Sequence, residues 1–532
     1  MNLLLRKQVP FMKTFAASFL VLSLLFSALT AASPTASAAA SFKLQETTIS
    51  DVHTAMEKGT LSCRALVEQY LAQIKSYDKT GPAINAIITT NSQALVTADI
   101  LDKQFKKDGL TGPLHCVPVI VKDNYNTVDM PTTGGSLSLQ GFMPYKDAFT
   151  VARLRDAGAI ILAKSNLSEF ANGTTTFSSL GGQTLNPYDL TRVPSGSSGG
   201  TGASIAANMG LIGLGTETGR SVRGPAAYNS LVGLVPTDGL ISREGILPLS
   251  DSRDRSGPIT RTVADAAKVL DVMVGYDSED PITVESYGQI PDTYTAFLKK
   301  DGLKGARIGV LRQGFDPKTL GTADTTNPEI LALIETAVAD LKKQGAIIVD
   351  PVGSTVNLND YLALPGVPGE QKTGVDDFLK KYGKFAPTKT FKDIAYSGQI
   401  EPGLVEGFQK RSAEPGVDKE SAAYMQGLLN KKSIRNALTK IMVENKLDAL
   451  VYPYNIDIPQ KIGTVMDAGN RFSPNSGLPA IVVPAGFTSD GLPASLEFLG
   501  SAFSEGKLIQ FAYAYEQATL HRRPPATTPV KP

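Results

Sequence analysis

PSGSSGGTGASIAANMGLIGLGTETGRSVRGPA, residues 194–226, sets nine glycines and five serines (195, 197, 198, 204 and 221) among apolar side chains. Glycine lets a backbone bend through φ > 0 and lets its N–H groups approach a ligand closely, at an entropic cost that a simple packing element would avoid. A flexible Gly/Ser linker would not carry Ile205, Ala206, Ala207, Leu211, Ile212 and Leu214. The stretch therefore reads as a packed functional loop system whose serines are candidate nucleophiles.

Working outward, residues 116–121 (CVPVIV) form a continuous apolar run that predicts a strand buried on both faces, ending on Lys122, Asp123 and Asn124. A helix over 149–158 and an apolar run over 159–163 follow, so strand and helix alternate as in an α/β sheet. Downstream, RTVADAAKVLDVMV (261–274) is an amphipathic helix. Residues 276–303 read as a linker. From 304 the alternation resumes, with a strand at ARIGVL, a helix over 327–345 and a strand at AIIVDPV. A helix near 433–445, strands at 449–452 and 480–483 and a helix over 507–519 close the pattern, before a tail at 526–532. Residues 353–425 have weak periodicity and many Pro, Gly and Lys, and read as a mobile cover. Residues 39–110 read as an all-helical layer, with Thr48 as an N-cap, a stop at Gly59, and further helices over 62–77 and 92–107.

The chain has 532 residues, with 52 basic and 51 acidic side chains, so charge gives no argument for a nucleic-acid or anionic-membrane partner. At the N-terminus, Arg6, Lys7 and Lys13 precede an apolar run over 15–29 and the tract AASPTASAAA, with Ala36-Ser37-Ala38 as a cleavage site. This is the pattern of a signal peptide over 1–38, with a secreted or extracytoplasmic product and no membrane partner after cleavage. A membrane anchor is the weaker reading, since the run is short and lacks a basic stop signal. Only Cys63 and Cys116 are present, and whether they pair is left open. Two Cys and three His without ligand spacing give no metal site, and no cofactor is expected.

Three chemistries compete for the glycine/serine stretch. A phosphate cradle fails because G-x-x-x-x-G-K-[ST] is absent and Gly213, Gly215 and Gly219 have the wrong spacing for a dinucleotide loop. A Ser/His hydrolase would use Ser198 in G-S-S-G-G with His521, but YDLTRVP (188–194) is a poor strand to precede a nucleophile elbow. The third uses Lys122 as base. Desolvation at a buried strand end pulls an ammonium pKa down, and a neutral amine can take a proton from a serine, here Ser221.

Three motifs in order, Lys122-Asp123-Asn124, GSSGGTGAS and GTETGRSV, resemble the amidase signature family of Ser-Ser-Lys hydrolases. The resemblance spans 112–274 and returns at LPAIVVPAG (478–486) and GLPASLEFLG (491–500). The tail AYAYEQATLHRRPP is similar to the exported bacterial peptide-amidase branch. The resemblance implies one large α/β domain with a mixed central sheet covered by helices on both faces. By position it makes Lys122 the base, Ser197 the bridging serine after a cis peptide bond, and Ser221 the nucleophile. Backbone N–H groups of Thr218, Gly219 and Arg220 would form the oxyanion hole, with Ser198, Thr216 and Arg223 in support. It also implies hydrolysis of a small-molecule or peptide amide, with C-terminally amidated peptides favoured, and leaves oligomeric state open. The family includes a transamidase that charges tRNA, which the signal peptide argues against. Arg220 and Ser195 depart from the family pattern of glycine or another small residue. If position 220 needs φ > 0 or close substrate approach, an arginine there costs stability or narrows the pocket and reshapes substrate choice, and a binding protein that has lost turnover is the alternative.

Overall fold

Apolar runs without polar alternation make strands buried on both faces, and that is how the central sheet is built. The computed structural model describes residues 42–320, 326–464 and 469–529. The signal-peptide reading of 1–38 lies outside them. The strands are β1 (Ile87–Thr90), β2 (Pro118–Lys122), β3 (Ile160–Ser165), β4 (Phe177–Ser178), β5 (Gly182–Gln183), β6 (Ile212–Glu217), β7 (Val232–Val235), β8 (Arg255–Thr260), β9 (Arg307–Val310), β10 (Ile347–Val349), β11 (Ala449–Pro453), β12 (Ala480–Phe487) and β13 (Pro493–Leu499). All but β4 and β5 join one 11-stranded sheet in the order β1-β3-β2-β6-β8-β7-β12-β13-β11-β9-β10. β3, β2 and β6 are parallel neighbours, and so are β11, β9 and β10. The strands between β6 and β11 pair antiparallel. The sheet is therefore mixed and helix-covered, the expected α/β architecture.

Helix boundaries follow local chemistry. Thr48 and Asp51 form a reciprocal capping box on Ile49–Glu57, Ser62 caps Cys63–Tyr77, and Asn327 caps Pro328–Lys343. In the opening stretch, residues 199–206 form the helix Gly199–Ala206, packed on β2 and β6. A Cβ at Gly213 would stand 2.4 Å from the Thr201 side chain, so that glycine lets helix and strand meet.

Four expectations need correction. The 39–110 layer is not all-helical: β1 lies inside it and pairs antiparallel with β3, because a short IITT segment gains its hydrogen bonds only from a distant partner. The 276–303 segment is no free linker, since Tyr294 is buried and Thr293 and Tyr294 bond to Asp271. The helix expected near 433 begins eleven residues earlier, as Ala422–Glu444 capped by Ser421. The cover is built of helices, including Glu370–Tyr382, Phe391–Tyr396 and Val405–Ala413, around its own apolar cluster with Phe378, Phe391 and Phe408. Cys63 and Cys116, left open by the sequence, form a disulfide that ties a helix start to the approach of β2.

Candidate active site

Lys122 is the last residue of β2 and has no exposed surface. Its Nζ donates to Ser197 Oγ at 2.7 Å and to Thr216 Oγ1 at 2.8 Å. Burial pushes the amine down to about 7, against the pull of the Asp254 and Glu217 carboxylates, which favour the charged form. At neutral pH a substantial share of this lysine is an unprotonated amine beside a serine hydroxyl.

The loop leading into the helix Gly199–Ala206 delivers Ser197. Its Gly196–Ser197 peptide bond is cis, and Ser195 has φ +62. Thr176 anchors the loop: its Oγ1 donates to the Ser195 carbonyl at 2.7 Å and accepts the Gly199 N–H at 3.1 Å. Thr216, on β6, also accepts from Asn124 Nδ2 at 3.1 Å. Ser198 Oγ accepts the Thr216 N–H at 3.3 Å, so Ser198 holds the loop against β6.

Ser221 lies in the turn between β6 and the helix Arg223–Tyr228 and is 7% exposed. Glu217 accepts the N–H groups of Val222 and Arg223, at 2.6 and 3.3 Å. The buried Arg223 guanidinium pairs with Glu217 at 2.9 Å and Glu497 at 2.8 Å, and donates to Asn470 and, at 2.9 Å, to the Gly219 carbonyl. A fully paired, fully bonded buried ion network of this kind fixes geometry more than it adds stability. Thr218 Oγ1 donates to the Asp254 carboxylate, which also accepts the Leu249 and Ser250 N–H groups.

The structure thus brings Lys122, Ser197, Ser198 and Thr216 into one hydrogen-bonded group. Thr218, Gly219, Arg220 and Ser221 lie on the neighbouring turn braced by Arg223. Arg220 is half-buried and is absent from the residues with positive φ, so the backbone objection to an arginine there does not arise. The left-handed residue is Ser195. Ser198 and His521 are not brought together: His521 Nε2 has no hydrogen-bond partner, and its nearest carboxylate is Asp340 at 3.9 Å. Among the described residues no strand leads directly into Gly196. Asp254, Asn470 and Glu497 were not singled out in the sequence. Glu497 sits inside the quoted GLPASLEFLG motif and Asp254 within the 112–274 span of the resemblance, but only the fold shows what they hold. Among the described residues no group of three or more His, Cys, Asp or Glu could hold a metal ion.

Two cavities flank the loop through Ser250. One, of about 260 Å³, reaches Thr216 and Asp254. The other, of about 240 Å³, reaches Thr218 and is roofed by residues 367–372 of the cover.

This arrangement is that of a known class of enzymes. The model of the amidase family matches residues 65–509, and the chain belongs to that family, the amidase signature hydrolases, as an amidohydrolase. It is similar to a protein named probable amidase from Arabidopsis thaliana, 36% identical over 91% of this chain and 92% of the relative. It is also similar to a glutamyl-tRNA(Gln) amidotransferase subunit from Caldanaerobacter subterraneus subsp. tengcongensis, 34% identical over 90% and 97% of the two chains. Among solved structures, native peptide amidase from Stenotrophomonas maltophilia superposes with a TM-score of 0.81 at 38% identity, covering 91% of this chain and 99% of that one.

Proposed function

We propose that the chain is an exported amidase that cleaves carboxylic amides, C-terminally amidated peptides foremost, through a serine acyl-enzyme. Ser221 Oγ attacks the amide carbonyl while its proton passes through Ser197 to neutral Lys122. The oxyanion is met by the N–H groups of Thr218, Gly219 and Arg220, and one such donor contributes about 3 kcal/mol. As the tetrahedral intermediate collapses, the proton returns through Ser197 to the departing nitrogen, which leaves as ammonia or amine. Water then attacks the Ser221 ester by the same relay and releases the acid. The observation that carries this reading is the 2.7 Å contact from a buried, weakly basic Lys122 to Ser197.

The peptide-amide preference is supported by the likeness to peptide amidase over nearly the whole of both chains. The likeness to the glutamyl-tRNA(Gln) amidotransferase favours a second reading, in which the amide is glutamine and the nitrogen is handed to another acceptor. Ammonia release by the purified protein from N-acetyl amino-acid amides, against glutamine, tests the two. Activity on glutamine alone would overturn the first. Export draws support from the N-terminal pattern and from the paired cysteines, which suit an oxidising compartment. Cell fractionation with N-terminal sequencing checks it: a mature chain starting near residue 39 is expected, and an intact cytoplasmic chain would sink it.

A further inference from the structure

Ser197 is held from its carbonyl as well as from its hydroxyl. The Ser168 N–H donates to the Ser197 carbonyl at 3.1 Å. Ser168 Oγ in turn accepts the N–H of Thr176, whose own hydroxyl holds the Ser195 carbonyl. Ser168 opens the tight turn Glu169–Ala171, in which Phe170 and Ala171 stand at φ +50 and +59. Left-handed backbone at residues other than glycine is unfavourable and persists only where the surroundings over-determine it.

Two of the anchors of this turn belong to the core and two to the cover. From the core, the Gly134 carbonyl accepts the Phe170 N–H at 2.8 Å, and Glu169 Oε2 accepts the Ser179 N–H at 2.6 Å. From the cover, the Phe408 ring packs on Phe170 with centroids 5.6 Å apart, and the Glu401 N–H donates to the same Glu169 Oε2 at 3.2 Å. Two residues before Glu401, the Gln399 carbonyl accepts the Ser138 N–H at 3.1 Å, so this edge of the cover is seated on the core through its backbone. Glu169 has no exposed surface. Its carboxylate is thus the buried atom group on which a core N–H and a cover N–H converge, one residue from the N–H that holds Ser197.

We propose that Glu169 is a positioning residue for the proton relay: by joining the cover's Glu401 N–H to the turn that holds the Ser197 carbonyl, it makes the placement of Ser197 Oγ depend on a seated cover. Glu169 acts through Ser197, so this role rests on the relay reading above. It gives the cover a part in the chemical step that needs no contact with substrate.

Glu401→Pro removes the N–H at issue, and Glu401 already has φ −50, close to the angle a proline ring fixes. Glu401→Gln keeps that N–H. On N-acetylleucinamide, Glu401→Pro should lower kcat about tenfold with KM within about twofold, because a displaced relay serine slows the chemical step and not binding. Glu401→Gln should retain at least about half of the unaltered kcat. Glu169→Gln keeps the side-chain shape but removes the charge that strengthens both bonds. It should lower kcat at least about threefold, again at constant KM, and it decides the question if Glu401→Pro does not fold. A kcat loss below about threefold in either folded variant, a loss expressed as a raised KM, or an equal loss in Glu401→Gln would overturn the role. A Ser197→Ala enzyme with full activity would instead overturn the relay reading, and this role with it.

Discussion

Lys122 Nζ and Ser197 Oγ, 75 residues apart in the chain, stand 2.7 Å apart with neither residue exposed to solvent. The contact joins the end of one strand to a loop that enters a helix, so it exists only when β2, β6 and the helix Gly199–Ala206 are assembled. In the proposed mechanism, replacing either partner removes the proton relay while leaving most of the fold. Ser221→Ala, Ser197→Ala and Lys122→Ala should each lower ammonia release from an N-acetyl amino-acid amide by about a thousandfold or more. His521→Ala should leave it within about twofold, because that ring faces Asp340 and Tyr515 rather than this group. Steady-state kinetics on folded variants checks this, and activity lost only with His521→Ala would contradict it.

In the proposed mechanism Lys122 acts as the unprotonated amine, and burial brings it from 10.5 down to about 7. The rate should therefore rise with pH through about 7 and fall about tenfold per unit below that. Asp254 favours the charged lysine, so Asp254→Asn should move this limb toward lower pH. A kcat/KM profile flat from pH 5 to 9 would refute the role.

The same depressed pKa has a stability consequence of definite sign. Between about 7 and 10.5 the unfolded chain holds a proton on Lys122 that the folded chain has released. This group's contribution to stability therefore rises with pH across that window and is lost as pH falls through about 7. Denaturant unfolding across the window should show a shallower rise for Lys122→Met; an unchanged slope would mean that the lysine titrates normally.

Arg223 pairs with two buried carboxylates at once. Arg223→Met should leave Glu217 and Glu497 buried without their cation and cost about 3–5 kcal/mol. Arg223→Lys should recover only part of this, because one ammonium cannot reproduce the fork. Chemical denaturation gives the values, and a loss below about 1 kcal/mol would show that the turn does not depend on the network.

The Cys63–Cys116 disulfide closes a loop with a sequence separation of 53. Replacing both cysteines by alanine should lower stability by about 2–4 kcal/mol without changing activity per folded molecule. Reductant should do the same to the unaltered protein.

Arg220→Gly should not stabilise the protein, since Arg220 is not in the left-handed region. It should instead alter the relative rates on amides of different size. Unchanged ratios across a panel would show that Arg220 does not shape substrate choice.

The chemistry-bearing motifs were legible in the chain. Lys122 at the end of an apolar run, the paired serines 197 and 198, and Ser221 after Thr218-Gly219-Arg220 are local patterns, and a resemblance can be read from local patterns. Helix starts at Thr48, Ser62 and Asn327 were readable for the same reason, because a cap needs only its own first turn. What the sequence alone determined was therefore the α/β class, the family resemblance and the candidate residues. Tertiary structure decided the rest, because each remaining feature depends on groups far apart in sequence. β1 needs β3 to complete its hydrogen bonds, and the serine turn needs Glu497, 274 residues from Arg223. Cys63 needs Cys116 beside it. The strain assigned to Arg220 falls on Ser195 because a backbone angle is set by the loop's anchors, Thr176 among them, and not by residue type alone.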